Sequence, residues 1–399
     1  MLRASSLADP DLFVELAPHD LLAELRRTEP VSWQEMQDEP GFWAVLRHAD
    51  VVHVAREPVL FSASEGGVVL EDLEPASLEM MRNMLLAMDP PRHPVYRKPL
   101  ADTFKAKVIA GLEPQIRAIC RDLMDDAADK RDVEFVHDVT SGLPSRVIGQ
   151  LMGLPEKDWA HIHELAERNT AGQDPDIAGD EDHSGSIEMA MYAIEFAARR
   201  RSEAPRDDLT TLILETDFGG TPMTDVDFGS FFVQLVTAGN DTTKTMLSSG
   251  LHALLTHPDQ LAALREDPGL TPGAVEEILR WANPLHYFRR TATADTVVHD
   301  VAIAAGDKVA MYYTSANRDE DVFDDPQAFD IRRHPNPHLS FGIGEHFCLG
   351  VHLARLEGRI FFEELLMRFP SIEPTGDPVR LRSNLNNGLK ALPVRLTTA

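Results

Sequence analysis

The chain has 399 residues, 43% hydrophobic and 26% charged, a globular composition that excludes a disordered or fibrous protein and allows a large core. With 65 acidic against 38 basic residues the net charge is −27, which argues against nucleic acid as a partner. No apolar run reaches the roughly 18 residues of a membrane span, and the start MLRASSLADPDLF lacks the apolar core of a signal peptide, so a cytoplasmic protein is expected.

In chain order, helical spacing is predicted for 18–28, 76–88, 104–130, 143–169, 186–203, 224–256, 258–266, 271–282 and 349–369. Strand-like runs are few: Val31–Glu35, Phe42–Leu46, Thr296–Val301, Lys308–Tyr313 and Ala391–Leu396. The fold class is therefore mainly α, or α+β, with a large helical body and a small β-sheet region. No repeat and no Pro- or Ser-rich linker divides the chain, so one domain over residues 1–399 is expected. Between two helices, 171–185 (AGQDPDIAGDEDHSG) is acidic and glycine-containing, and reads either as a solvated connector or as a mobile lid.

Within the 224–256 segment, Thr224 and Asp227 form a capping pair. Gly239 is expected to interrupt this helix, beside the acid–alcohol pair Asp241 and Thr242. Thr242 can bond back to the carbonyl of Ala238. In TPGAVEEILRW, Glu277 and Arg280 lie three apart and share a helix face. His93 and Arg97, in MDPPRHPVYRKPLADTF, are four apart on another helical face, with Pro99 expected to distort the helix.

Two cysteines make no disulfide framework. Cys120 falls on the apolar face of an amphipathic helix and reads as a buried structural thiol. Cys348 follows the glycines of HLSFGIGEHFCLGVHLARLE and precedes a helix. A thiolate there gains from free N–H groups and the helix dipole. A dinucleotide fingerprint fails because Phe347 stands where its third glycine would be. A zinc site from His346, Cys348 and His352 would lack a fourth ligand for a structural centre.

FGIGEHFCLG resembles the haem-binding signature of the cytochrome P450 family, matching at Phe341, Gly342, Gly344, His346, Cys348, Leu349 and Gly350. AGNDTT (238–243) is similar to that family's oxygen-binding motif, and the order of landmarks agrees over almost the whole chain. The resemblance implies the P450 fold and haem b, with Cys348 as the axial iron ligand. It places Phe341, Gly342, Gly350 and Ala238 against the haem, and His93, Arg97, Arg290 and His346 on its propionates. Asp241 and Thr242 become the catalytic proton relay, and Glu277 with Arg280 the structural pair behind the haem. The family's third partner is missing, since Ala328 stands in its place, and Arg333 is the candidate substitute. Substrate contacts are expected at Val69, Met81, Leu85, Leu235, Val236, Leu285, Phe288 and Leu385.

The implied activity is insertion of one oxygen atom from O2 into a C–H bond of a small apolar substrate of the steroid, terpenoid or fatty-acid class. The run 315–350 and the tail NGLKALPVRL look like actinobacterial members that oxidise sterol side chains and branched lipids. Electrons would come from a ferredoxin and its ferredoxin reductase, with Arg97, Lys98, Lys105 and Lys107 as a basic docking cluster. A monomer is expected. Two alternatives stay open: a peroxide-driven peroxygenase, which usually lacks the acid–alcohol pair, and a non-enzymatic haem sensor or electron carrier.

Overall fold

The computed structural model describes residues 6–178 and 185–398. Helices form the body, and the longest, Asp225–Thr256, is packed by helices Gly142–Leu151, Glu156–Thr170, Gly185–Arg201, Thr271–Ala282 and Val351–Arg368. Its start is fixed by a capping box: Thr224 Oγ1 accepts from the Asp227 N–H, and the Asp227 carboxylate accepts from the Thr224 N–H. The helix is apolar nearly all round because it is enclosed nearly all round, with Phe228, Phe231, Phe232, Met246, Leu247 and Leu251 all buried. It runs unbroken through Gly239, contrary to the expected interruption. One glycine costs about 1 kcal/mol against alanine, which packing on both sides outweighs. A Cβ at that position would meet Ile148 at an ordinary 3.5 Å.

Three expected helices are each two elements. The 104–130 segment divides at Gly111 into Ala106–Ala110 and Glu113–Lys130, whose first turn holds Pro114. Gly153 (φ +65°) and Pro155 divide 143–169 into Gly142–Leu151 and Glu156–Thr170. The 76–88 segment is a helix Pro75–Arg82 followed by a 3-10 turn Leu85–Ala87. Helix Arg92–Ala101, by contrast, continues through Pro99. The carbonyl that Pro99 leaves without a partner is that of Val95, an exposed residue that water can reach.

A five-stranded sheet lies to one side, in the order Val31–Gln34, Phe42–Val45, Lys308–Tyr312, Tyr287–Ala292, Phe61–Ser62. Phe42–Val45 and Lys308–Met311 pair in parallel, which joins the two ends of the chain. Thr296–Val298 and Val301–Ile303 form a hairpin where one strand was expected, turned at His299 (φ +55°). Near the C-terminus, Val379–Arg380 pairs with Leu389–Ala391, and Pro393–Thr397 pairs with both Ser371–Pro374 and Asp132–Glu134.

Candidate active site

The cysteine loop is shaped by two glycines with left-handed backbone, Gly342 (φ +66°) and Gly344 (φ +77°). Gly344 is required for space as well: a Cβ there would come within 2.6 Å of the Ala55 carbonyl oxygen. The Cys348 N–H donates to Phe341 O at 2.9 Å, closing the loop ahead of helix Val351–Arg368. Burial raises the Cys348 thiol above its ordinary value, while a hydrogen bond from the Gly350 N–H and the charges of Arg97 and Arg355 act in the opposite direction. The sulfur thus sits among groups that favour a thiolate but lacks a full counter-charge of its own.

Around this loop the polar groups are unusually short of partners. The His93 and His346 rings lie 4.4 Å apart, centroid to centroid, and neither His93 nitrogen nor His346 Nε2 has a hydrogen bond. Glu345 approaches His93 Nδ1 only to 3.5 Å. Burial, followed by the charges of Arg290, His93 and Arg97, pulls His346 down to about 2, so its ring is neutral. Arg97 donates to Phe347 O at 2.5 Å and is turned inward, away from a docking role. Arg290 is 5% exposed and donates to Arg289 O at 2.8 Å. Neither arginine has a carboxylate partner among the described residues. Buried cations are ordinarily paired, so this cluster is built for an anion that the chain itself does not supply.

On the long helix, Leu235, Ala238 and Thr242 fall at i, i+3 and i+7 and keep partial or full exposure, while Val236, Asn240, Asp241 and Thr243 among them are buried. Exposure in mid-helix, inside a packed body, marks an internal cleft. Val236 is on the other side and fully enclosed in the main core, where it packs as a core residue. Thr242 Oγ1 donates to Ala238 O at 2.7 Å. Asp241 is one residue away but differently held: Thr170 donates to it, and Lys244 Nζ stands 2.9 Å from Oδ1. Lys244 also bonds Glu167 at 2.7 Å, and Glu167 lies 3.6 Å from His163. Burial would lower the Lys244 ammonium, but Asp241 and Glu167 more than offset it and raise its pKa. Thr170, Glu167, His163 and Lys244 were not foreseen. The i, i+3 spacing of Asp241 and Lys244 was the available signal, and the other three come from a separate helix.

Of the expected wall residues, Val69, Met81, Leu285, Phe288 and Leu385 are half-buried, and Leu85 is buried in the main core. Leu285 forms an isolated bridge with Asn386, which brings the two C-terminal wall segments together. Glu277 and Arg280 are both fully buried and paired at 2.7 Å. Arg333 reaches Glu277 at 3.2 Å and, like Arg280, donates to the Ala328 carbonyl, so the place of the missing third partner is filled from five positions further on. In the acidic loop, Asp174 is 1% exposed and held by Lys390 at 2.9 Å. Residues 179–184, with Asp180, Glu181 and Asp182, lie outside the described residues.

A family model described as cytochrome P450 matches residues 269–396. A steroid C26-monooxygenase of Mycolicibacterium smegmatis is 36% identical over 401 aligned positions, covering 98% of this chain and 93% of the relative. The chain belongs to the cytochrome P450 family. A methyl-branched lipid omega-hydroxylase of Mycobacterium tuberculosis is 38% identical over 385 positions, covering 93% of this chain and 89% of the relative. Among solved structures, a Mycobacterium marinum cytochrome P450 in complex with pseudoionone is similar at a TM-score of 0.89 and 38% identity, each chain covered to 94%. Like its relatives this P450 is a monooxygenase, and its cofactor is haem b bound through a thiolate. The residues present fit that group. His93 and His346, with ring nitrogens that lack hydrogen bonds, and Arg97 and Arg290, without a carboxylate partner among the described residues, suit two propionates, and a Cβ on Gly350 would stand in open space. No described helix is long and apolar enough to cross a membrane.

Proposed function

We propose that this P450 hydroxylates an apolar C–H bond of a sterol or methyl-branched lipid, with electrons delivered by a ferredoxin. The observation that carries the substrate class is the wall itself. Val69, Met81, Leu235, Leu285, Phe288 and Leu385 bring no charge and no obligatory polar group, and a Met among them adapts to a flexible apolar ligand. The names of the two relatives, a steroid C26-monooxygenase and a methyl-branched lipid omega-hydroxylase, support it.

In this reading Cys348 would hold the iron as a thiolate, and Arg97, Arg290, His93 and His346 would hold the propionates. When bound, the haem activates dioxygen, one atom of which enters the substrate while the other leaves as water. The chain's own part is to keep the cleft apolar and to deliver protons. Thr242 Oγ1, on the open stripe of the long helix, donates and is resupplied from Asp241, whose carboxylate is held 2.9 Å from Lys244 Nζ. Lys98 and Lys107 are exposed and without a salt bridge among the described residues; Lys98 lies on the helix whose Arg97 bonds Phe347 O, Lys107 on Ala106–Ala110, which packs on the helix after Cys348, and they suit an acidic ferredoxin. The test is a spectral titration of the haem-loaded protein with sterols, methyl-branched fatty acids, terpenes and straight-chain acids. A saturable loss of iron-bound water with the first two classes is expected. A shift confined to terpenes, or no shift with any class, would overturn the assignment.

A further inference from the structure

The open stripe of the long helix carries one amide at its head. Gln234 stands four residues before Ala238 and eight before Thr242, one and two turns away on nearly the same face. Its side chain makes no hydrogen bond among the described residues: Oε1 is enclosed without a partner, and Nε2 has none either. The residue as a whole is only half-buried, although Phe231, Phe232 and Val233 just before it are fully buried. Its other flanks are covered. On one side Thr237 accepts from Asn169 at 3.2 Å and Asp241 from Thr170, so helix Glu156–Thr170 lies there. One turn earlier, Phe231 packs against Phe218 and Tyr96. The side left open to Gln234 is the cleft that Ala238 and Thr242 face.

An amide with neither end bonded is costly in an apolar enclosure. A site built to bond a substrate oxygen also discriminates strongly against analogues that lack it. The amide offers one donor group and one acceptor, the pair that a hydroxyl takes up. A carboxylate fits less well. Gln234 brings no charge, and Lys244, the one lysine of this helix, is already held by Asp241 at 2.9 Å and Glu167 at 2.7 Å. We infer that Gln234 is a specificity-determining residue that binds a neutral hydroxyl of the substrate. This rests on the lipid-hydroxylase reading above and narrows it. Eight residues at about 1.5 Å each place Gln234 roughly 12 Å along the helix from Thr242, so the carbon to be oxidised lies at the end of the molecule remote from that hydroxyl.

The probes are 3,7-dimethyloctan-1-ol, the matching hydrocarbon 2,6-dimethyloctane, and 3,7-dimethyloctanoate at pH 8. Each is titrated into the haem-loaded protein, with loss of iron-bound water as the readout. The alcohol should bind at least fivefold more tightly than either of the others. Gln234→Leu should weaken the alcohol at least fivefold and tighten the hydrocarbon, reversing their order, a crossover that a purely structural role would not give. Should that variant fail to hold haem, the wild type's own product decides: the new oxygen should enter the alcohol at the branched terminus opposite its hydroxyl. Equal affinities for the three probes, an unchanged order in Gln234→Leu, or oxidation scattered along the chain would each overturn the inference and leave the substrate class standing. No shift with any of the three, nor with sterols, would sink the lipid reading itself and the inference with it.

Discussion

Thr242 has two possible employments, and they predict different failures. Its hydroxyl donates to the Ala238 carbonyl, a bond that bends helices whether or not any chemistry follows. If it also passes protons, Thr242→Ala should leave substrate binding and electron uptake near wild type while product per reductant consumed falls and free peroxide rises. Positioned proton transfer is typically worth about 10²–10⁴-fold, so the split should be large. Unchanged coupling with weakened substrate binding would leave Thr242 a purely structural residue. Glu357 poses a different question. It is buried, 3.5 Å from Thr243 Oγ1, and burial raises its carboxyl to about 8 from the ordinary 4.5. The folded protein therefore keeps a proton that the unfolded chain loses near pH 4.5. Between these values stability falls as pH rises, by roughly 1.4 kcal/mol per unit, and the contribution is fully present only below the unfolded value. Glu357→Gln should flatten that slope and gain on wild type from pH 5 to pH 8 in thermal midpoint. Parallel curves would mean that the carboxyl is ionised in the fold.

Among the elements, helix Thr271–Ala282 carries a fully buried ion pair of its own, Glu277 with Arg280. Arg280 is fully buried and bonds Glu277 and the carbonyls of Asn317, Pro326 and Ala328. Glu277→Ala would leave that cation without a counter-charge and should cost about 3–5 kcal/mol in chemical denaturation. Arg333→Ala removes only the second guanidinium and should cost clearly less. Equal small losses would deny the network a structural role. Elements were legible where a local rule decided them: the Thr224–Asp227 box, the glycines of the cysteine loop, the β-branched and aromatic residues of Val31–Gln34. Tyr287–Ala292 was missed as a strand because five of its six residues are buried, Arg289 and Arg290 among them, so no polar–apolar alternation was there to read. The site was legible in its loop and in its acid–alcohol pair. The clamp on Asp241 was not, because Glu167 and Thr170 meet it only through packing between helices.

For the molecule as a whole, a net charge of −27 makes any acidic partner dependent on local relief. Arg97 is turned inward and Lys105 is paired with Asp102 at 2.6 Å, which leaves Lys98 and Lys107 as the members of the basic cluster without a salt bridge among the described residues. Lys98→Glu combined with Lys107→Glu should slow reduction by ferredoxin several-fold at low salt, with the difference shrinking as salt is raised. No salt-dependent difference would move docking to another face. The parallel pairing of Phe42–Val45 with Lys308–Met311 has a bearing on biosynthesis. The second strand leaves the ribosome hundreds of residues after the first, so the sheet cannot close until most of the chain has been made. Until then the hydrogen-bonding edge of Phe42–Val45 stands open to other chains. A nascent chain halted before Lys308 should therefore be a substrate for chaperones, and maturation of this enzyme is governed by the arrival of its last quarter.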